Sequence, residues 1–244
     1  MARMGRSAPS RGLDVAGVCA VVAMGAGPLL AWLRVVSGLS GFVVFALGGL
    51  LATLVSLAAV VQAVRGHGFS RARMLTALAG LGFVALAAGS RGAPAINDFT
   101  TDLDDPPAFT HAAALGANRG RDLAYPPAFA AVQRSCCADL GPVTVHRAPP
   151  EAFELARRVA VGMPAWTVTW ADPTRGLLEA TSTSQVFGFV DDVVIRVRPD
   201  ASGAGASRVD MRSKSRDGRG DMGVNANRIR AYAAALAMQA GNGG

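Results

Sequence analysis

Three long apolar stretches, each free of charge, occupy most of the first ninety residues: Val15 to Leu33, Val35 to Val64, and Met74 to Ser90. A helix crossing the hydrocarbon core of a bilayer needs roughly 20 apolar residues, with a working range of about 17–25. The first two runs satisfy this, and Ser37-Gly38-Leu39-Ser40-Gly41 reads as a tight turn that delays the second helix. The third run is at the lower limit, where flanking Arg73 and Arg91 can snorkel toward headgroups. The pattern therefore predicts a transmembrane anchor over residues 1–91, with helices at about 15–33, 41–64 and 74–90. Gly25-Ala26-Gly27-Pro28 is expected to kink the first helix. Gly48, Ala52 and Ser56 form a small-residue stripe on the second, suited to packing within a three-helix bundle.

Beyond Arg91 the pattern changes twice. Residues 92–142 are rich in Pro, Ala and Asp, and Asp104-Asp105-Pro106-Pro107 and Tyr125-Pro126-Pro127 interrupt long regular elements. They predict an extended, wrapping connector with one short helix near Ala128 to Arg134. From Val143 apolar and polar positions alternate. A strand at Val143 to His146 precedes a helix at about Pro150 to Val161, and Trp166, Val168 and Trp170 mark the next strand. Asp172 to Gly176 is a turn into a strand ending near Thr183. Val193, Ile195 and Val197 form the inward face of another strand, continued by Val209 and Met211 across a Gly/Ser loop at Ala201 to Ala206. A final helix over about Asp221 to Met238, capped by Asp221, places Met222, Ile229, Tyr232 and Leu236 on one side. The order β-α-β-β-β-β-α over residues 143–240 predicts an α+β domain, an antiparallel sheet with helices on one face.

Charge changes the picture by where it sits. The formal net charge of +7 lies wholly in residues 1–91, which hold eight arginines and one acidic residue, Asp14. The remainder is neutral, with equal numbers of basic and acidic side chains, so the basic footprint of a nucleic-acid-binding domain is missing. Arg3, Arg6 and Arg11 precede the first span and Arg65, Arg71 and Arg73 lie between the second and third, whereas the opposite side has Arg34 and Arg91. That bias places the N-terminus in the cytoplasm and everything after Arg91 outside. In a two-membrane bacterium this means the inner membrane with a periplasmic C-terminal domain.

Candidate chemistry concentrates late in the chain. Asp191, Asp192, Arg196, Arg212, Ser213, Ser215, Arg216, Asp221, Asn225 and Arg228 form the candidate ligand-binding set. Strand alternation turns Arg196 and Arg198 away from Ile195 and Val197, and Asp210, Arg212 and Lys214 share that outward face. Cross-strand Arg–Asp pairing accounts for part of this cluster without a ligand. A guanidinium fork awaiting a carboxylate or phosphate is the functional alternative. Ser213 and Ser215 keep the inward parity and can face Asn225 on the last helix. Three histidines, His67, His111 and His146, lack ligand spacing. Cys136 and Cys137 are adjacent and read as small-residue filler or an oxidisable pair. Asp98, Asp102, Asp104 and Asp105 resemble a calcium-attracting run without the glycine and distal glutamate of a helix–loop–helix site. No nucleophile elbow, phosphate loop or dinucleotide fingerprint appears, so no catalytic residue, metal or cofactor is assigned.

Several separated segments resemble one family. Ile96-Asn97-Asp98-Phe99-Thr100-Thr101-Asp102, Thr181-Ser182-Thr183, Phe187-Gly188-Phe189, Asp191 to Val197, Arg212 to Gly218 and Asp221 to Arg230 look, in order, like the domain of unknown function 1499 family. The resemblance covers roughly Ala95 to Ala237 and implies no activity, cofactor or catalytic residue. The sequence thus leads to a membrane-tethered extracytoplasmic binding or accessory module of the cell envelope. Its expected partners are the lipid bilayer and an envelope protein or small anionic ligand. The alternatives are a hydrolase-type enzyme using Asp191, Asp192 and Arg216, or a structural subunit of a membrane complex.

Overall fold

The computed structural model describes residues 11–90, 92–201, 203 and 205–241. Arg3, Arg6 and Arg91, three of the arginines behind the predicted orientation, lie outside the described residues, as do positions 202 and 204 of the Gly/Ser loop. The chain divides into two compact units: residues 1–92 with Gln185–Gly188, and residues 93–184 with 189–244.

The first unit contains α1 (Arg11–Trp32), α2 (Gly38–Val64) and α3 (Arg71–Gly89), each long and apolar enough to cross a membrane. α1 continues through Pro28. Ser37 and Ser70 cap α2 and α3 by accepting the amide N–H three residues on, which satisfies a donor that the first helical turn leaves open. Packing is small-residue inside and large-residue outside. Gly17, Ala20, Gly27 and Ala31 of α1 and Gly41, Gly48, Ala52 and Ala59 of α2 are buried. Leu47, Leu54, Leu57 and Leu75 stay exposed. That is the arrangement for helices whose outer surface meets hydrocarbon, since only close backbone approach favours association there. A Cβ on Gly48 would lie 2.8 Å from the Ala20 carbonyl oxygen, so the predicted stripe does pack within the bundle. Arg73 departs from its expected role as a snorkelling flank: it is buried, and its Nε donates to Asp14 at 2.9 Å, tying α3 to α1.

The second unit is a six-stranded antiparallel sheet with helices, as the alternation predicts, plus one strand more. β1 (Asp98–Thr100), β2 (Val143–Val145), β3 (Trp166–Asp172), β4 (Leu177–Thr183), β5 (Val190–Pro199) and β6 (Ser207–Ser215) make the sheet, in order β1-β6-β5-β4-β3, with β2 also pairing β6. The helices are α4 (His111–Ala114), α5 (Pro127–Cys136), α6 (Pro149–Gly162) and α7 (Val224–Gly241). The connector holds the short helix expected near Ala128 to Arg134, as α5, and supplies in addition an edge strand and the short α4. Three residues are too few for alternation to announce β1. Its outer edge is closed by a side chain: Gln133 of α5 donates from Nε2 to the Thr100 carbonyl (2.6 Å) and accepts the Thr100 N–H (3.1 Å). The carboxamide thus takes the place of a neighbouring strand and blunts an edge open to unwanted pairing.

One face of the sheet carries the core. Val193, Ile195, Val197, Val209 and Met211 pack with Phe153, Leu155 and Val159 of α6 and Ile229, Tyr232 and Leu236 of α7. Pro149 and Pro150 open α6, where the missing N–H costs nothing. α7 begins at Val224, and Asp221 serves its start as expected by accepting the N–H groups of Gly223 (2.8 Å) and Asn225 (2.7 Å). Gly176 in the β3–β4 turn has φ +63° and lies so close to the Val197 carbonyl that no side chain fits. Both demands favour glycine.

Candidate functional site

The opposite face of the sheet is charged, and the connector lies over it. At alternate positions β6 turns Arg208, Asp210, Arg212 and Lys214 this way, and β5 turns Asp192, Arg196 and Arg198. Such residues can be buried only if each charge meets an opposite one. Three locks achieve this. In the first, Asp98 of β1 takes a two-pronged contact from Arg212 (2.9 and 2.8 Å) and a third from Lys214 (2.9 Å). In the second, one oxygen of Asp102 meets Arg198 (2.7 Å), Arg208 (2.8 Å) and Arg196 (3.5 Å), while Asp210 pairs with the same three arginines. The other Asp102 oxygen accepts the N–H groups of Asp104 and Asp105, folding the acidic run into a turn. Burial pushes the Asp102 carboxyl up, but these amides and the Arg208 and Arg198 charges outweigh it, so its pKa lies below the ordinary value. In the third lock, Asp192 holds Arg216 (2.6 Å) and Arg121 (3.5 Å) and accepts from Asn118 (3.0 Å).

Glu179 is also buried on this face and is held differently. Its carboxylate accepts the backbone N–H groups of Thr110, His111 and Ala112 and the Thr110 hydroxyl, all within 2.9 Å. The charge is met by open amides of α4, the favourable end of a helix for an anion. His111 stacks on Trp170 beside it, ring centroids 6.1 Å apart. Nothing in the sequence pairs Glu179 with residues some seventy positions away.

The remaining members of the candidate set lie across the sheet, toward α7. Asn225 bonds the hydroxyls of Ser213 (2.5 Å) and Ser215 (2.8 Å), and Arg228 reaches Asp191 at 2.6 Å as well as Ser213 and Asn225. Asp221 has its pKa raised: burial dominates, the Asn225 and Gly223 amides offset part of it, and the Asp191 charge adds to it. Asp191 and Asp192 are neighbours in β5 and so occupy opposite faces, one paired to Arg228 and the other to Arg216. They cannot share a substrate as an acid/base pair. The ten candidates are thus divided. Asp192, Arg196, Arg212 and Arg216 lie under the connector, and Asp191, Ser213, Ser215, Asp221, Asn225 and Arg228 lie at the sheet–α7 junction.

A cleft of about 570 Å³ opens between the connector and α5, above Arg212. Leu103, Phe109, Leu123, Tyr125 and Pro127 line it. Arg212 forms part of its wall although only 2% exposed. The guanidinium lies 4.9 Å from the Phe109 ring centroid and 5.5 Å from that of Tyr125, and donates to the carbonyls of Pro107 (3.2 Å) and Leu123 (2.7 Å). Burial raises the Tyr125 pKa, keeping the phenol protonated to donate to Gln133 (3.2 Å). Of these residues only Arg212 belonged to the sequence-derived set. The Pro-rich composition that made the connector look irregular concealed its aromatic wall.

Among known families, the family model described as Protein of unknown function (DUF1499) matches residues 98–236. The chain belongs to the DUF1499 family. The match begins at Asp98, so the DUF1499 domain takes in the edge strand, the connector and its locks as well as the sheet. No curated protein and no solved structure matches the chain. Membership carries no activity.

Proposed function

We propose that this DUF1499 protein is a non-enzymatic binding module held on the outer side of the cytoplasmic membrane, the periplasmic side in a two-membrane bacterium, and that it takes a small anionic ligand in the connector cleft. The cleft over Arg212 carries this reading. Arg212 is held by Asp98 like the other paired cations of the polar face, and it alone among them also lines the cleft. Sites of this size with few convergent polar groups are the usual form of small-ligand pockets, about 300–1,000 Å³. The outer location is supported by the arginine distribution, six on the N-terminal and second-loop side against two.

Reporters fused after Gly68 and at the C-terminus test the location. A cytoplasm-active reporter should work at Gly68 and an export-dependent one at the C-terminus. Activity of the cytoplasmic reporter at the C-terminus refutes the outer location.

A further inference from the structure

Resting on the reading of the cleft as a ligand site, we infer that its ligand is a single-chain hydrocarbon carboxylate, a fatty-acid-like monoanion lying along the aromatic and aliphatic wall with its carboxylate toward Arg212. Volume comes first. A cleft of about 570 Å³ lies within the usual range of small-ligand sites, about 300–1,000 Å³. That is room for one acyl chain with its carboxylate. Shape and polarity agree. Leu103, Phe109, Leu123, Ala130 and the Tyr125 ring make most of the wall apolar, which suits methylene groups.

Charge then selects the sign. Asp98 faces both Arg212 and Lys214, and Asp192 faces both Arg121 and Arg216. Around Asp98, one buried carboxylate meets two buried cations, Arg212 and Lys214, which leaves one positive charge over. Burying an uncompensated charge is costly, and a bound monoanion removes that cost. A donor is in place as well. A guanidinium has five N–H groups, and Arg212 uses four: Nε and one Nη2 hydrogen on Asp98, the other Nη2 hydrogen on Leu123, and one Nη1 hydrogen on Pro107. The second Nη1 hydrogen has no partner among the described residues. Phe109 and Tyr125 hold the guanidinium from the sides, so that hydrogen is fixed in direction before a ligand arrives. A neutral alcohol of the same length would gain the apolar contact without the charge.

The test uses the full chain in nanodiscs of zwitterionic lipid and soluble ten-carbon probes. Carboxyl-labelled decanoate is titrated by carbon NMR, with decan-1-ol and decyltrimethylammonium as competitors. The inference predicts saturable decanoate binding, displacement by decanol only at tenfold or higher concentration, and none by the cation. Ala124→Trp, which fills the exposed lip of the cleft, should abolish binding while leaving sheet-amide exchange unchanged. Arg212→Lys should weaken decanoate at least fivefold and leave decanol unaffected. Equal competition by decanoate and decanol overturns the carboxylate assignment but keeps the cleft as a site. Decanoate binding that survives Ala124→Trp, or no saturable binding of any probe, overturns the cleft reading itself.

Discussion

Val193, Ile195 and Met211 of the central strands meet α6 and α7 on one face of the sheet, while Asp192, Arg196 and Arg212 of the same strands meet the connector on the other. Both faces are buried, by different rules. The apolar face gains from each atom removed from water, and its partners are interchangeable within volume limits. On the charged face a residue is stable only with its own partner, and deleting one partner strands the other. The apolar side therefore tolerates loss gradually, whereas the connector side stands or falls by particular pairs.

Asp98 gives the sharpest break in that comparison. Asp98→Ala leaves Arg212 and Lys214 buried without their carboxylate and is expected to cost about 3–5 kcal/mol, read from hydrogen exchange of β5 and β6 amides in the full chain. A cost below about 1 kcal/mol would mean that water or another anion replaces the lock. On the apolar face, Leu236→Ala should cost about 2–5 kcal/mol with little dependence on salt or pH, since Leu236 is fully buried in the apolar cluster. Gln133→Ala comes next, at about 1–3 kcal/mol, because both backbone groups of Thr100 lose their partner. The Thr100 amide should then lose protection before any other amide of β6 or β1 does.

The smallest effect is a slope with pH. The Asp102 pKa is lower in the folded chain than its ordinary 3.8. Its contribution is therefore complete above that value and is lost as pH falls through the lower folded value. Asp221 has the opposite sign: its folded pKa is raised, so its contribution is complete below 3.8 and fades as pH rises. Thermal unfolding between about pH 5 and 2 should fall steeply for the wild type and less steeply for Asp102→Asn. An unchanged slope would remove Asp102 from the lock.

Much of this architecture could be read from residue order. Uncharged runs of spanning length marked α1, α2 and α3, and alternation marked β3 to β6, with Arg196 and Arg212 on the face opposite Ile195 and Met211. Parity also placed Ser213 and Ser215 toward Asn225. The connector could not be read in this way. β1 is three residues long, and its identity depends on β6, more than a hundred positions later. Asp98 and Asp102 looked like a cation-attracting run because their guanidinium partners lie on β5 and β6. Phe109 and Tyr125 looked like loop residues because prolines surround them, and only the fold brings them to Arg212. Periodicity reports which face a residue takes, not which distant residue it meets there.

Photo-crosslinking addresses the cleft most directly: decanoate bearing a diazirine at the chain end, irradiated with the full chain in zwitterionic nanodiscs and mapped by peptide mass spectrometry. The account predicts adducts within residues 103–130 that vanish when excess decanoate is added. Labelling found only in the three apolar helices and unaffected by excess decanoate would contradict it.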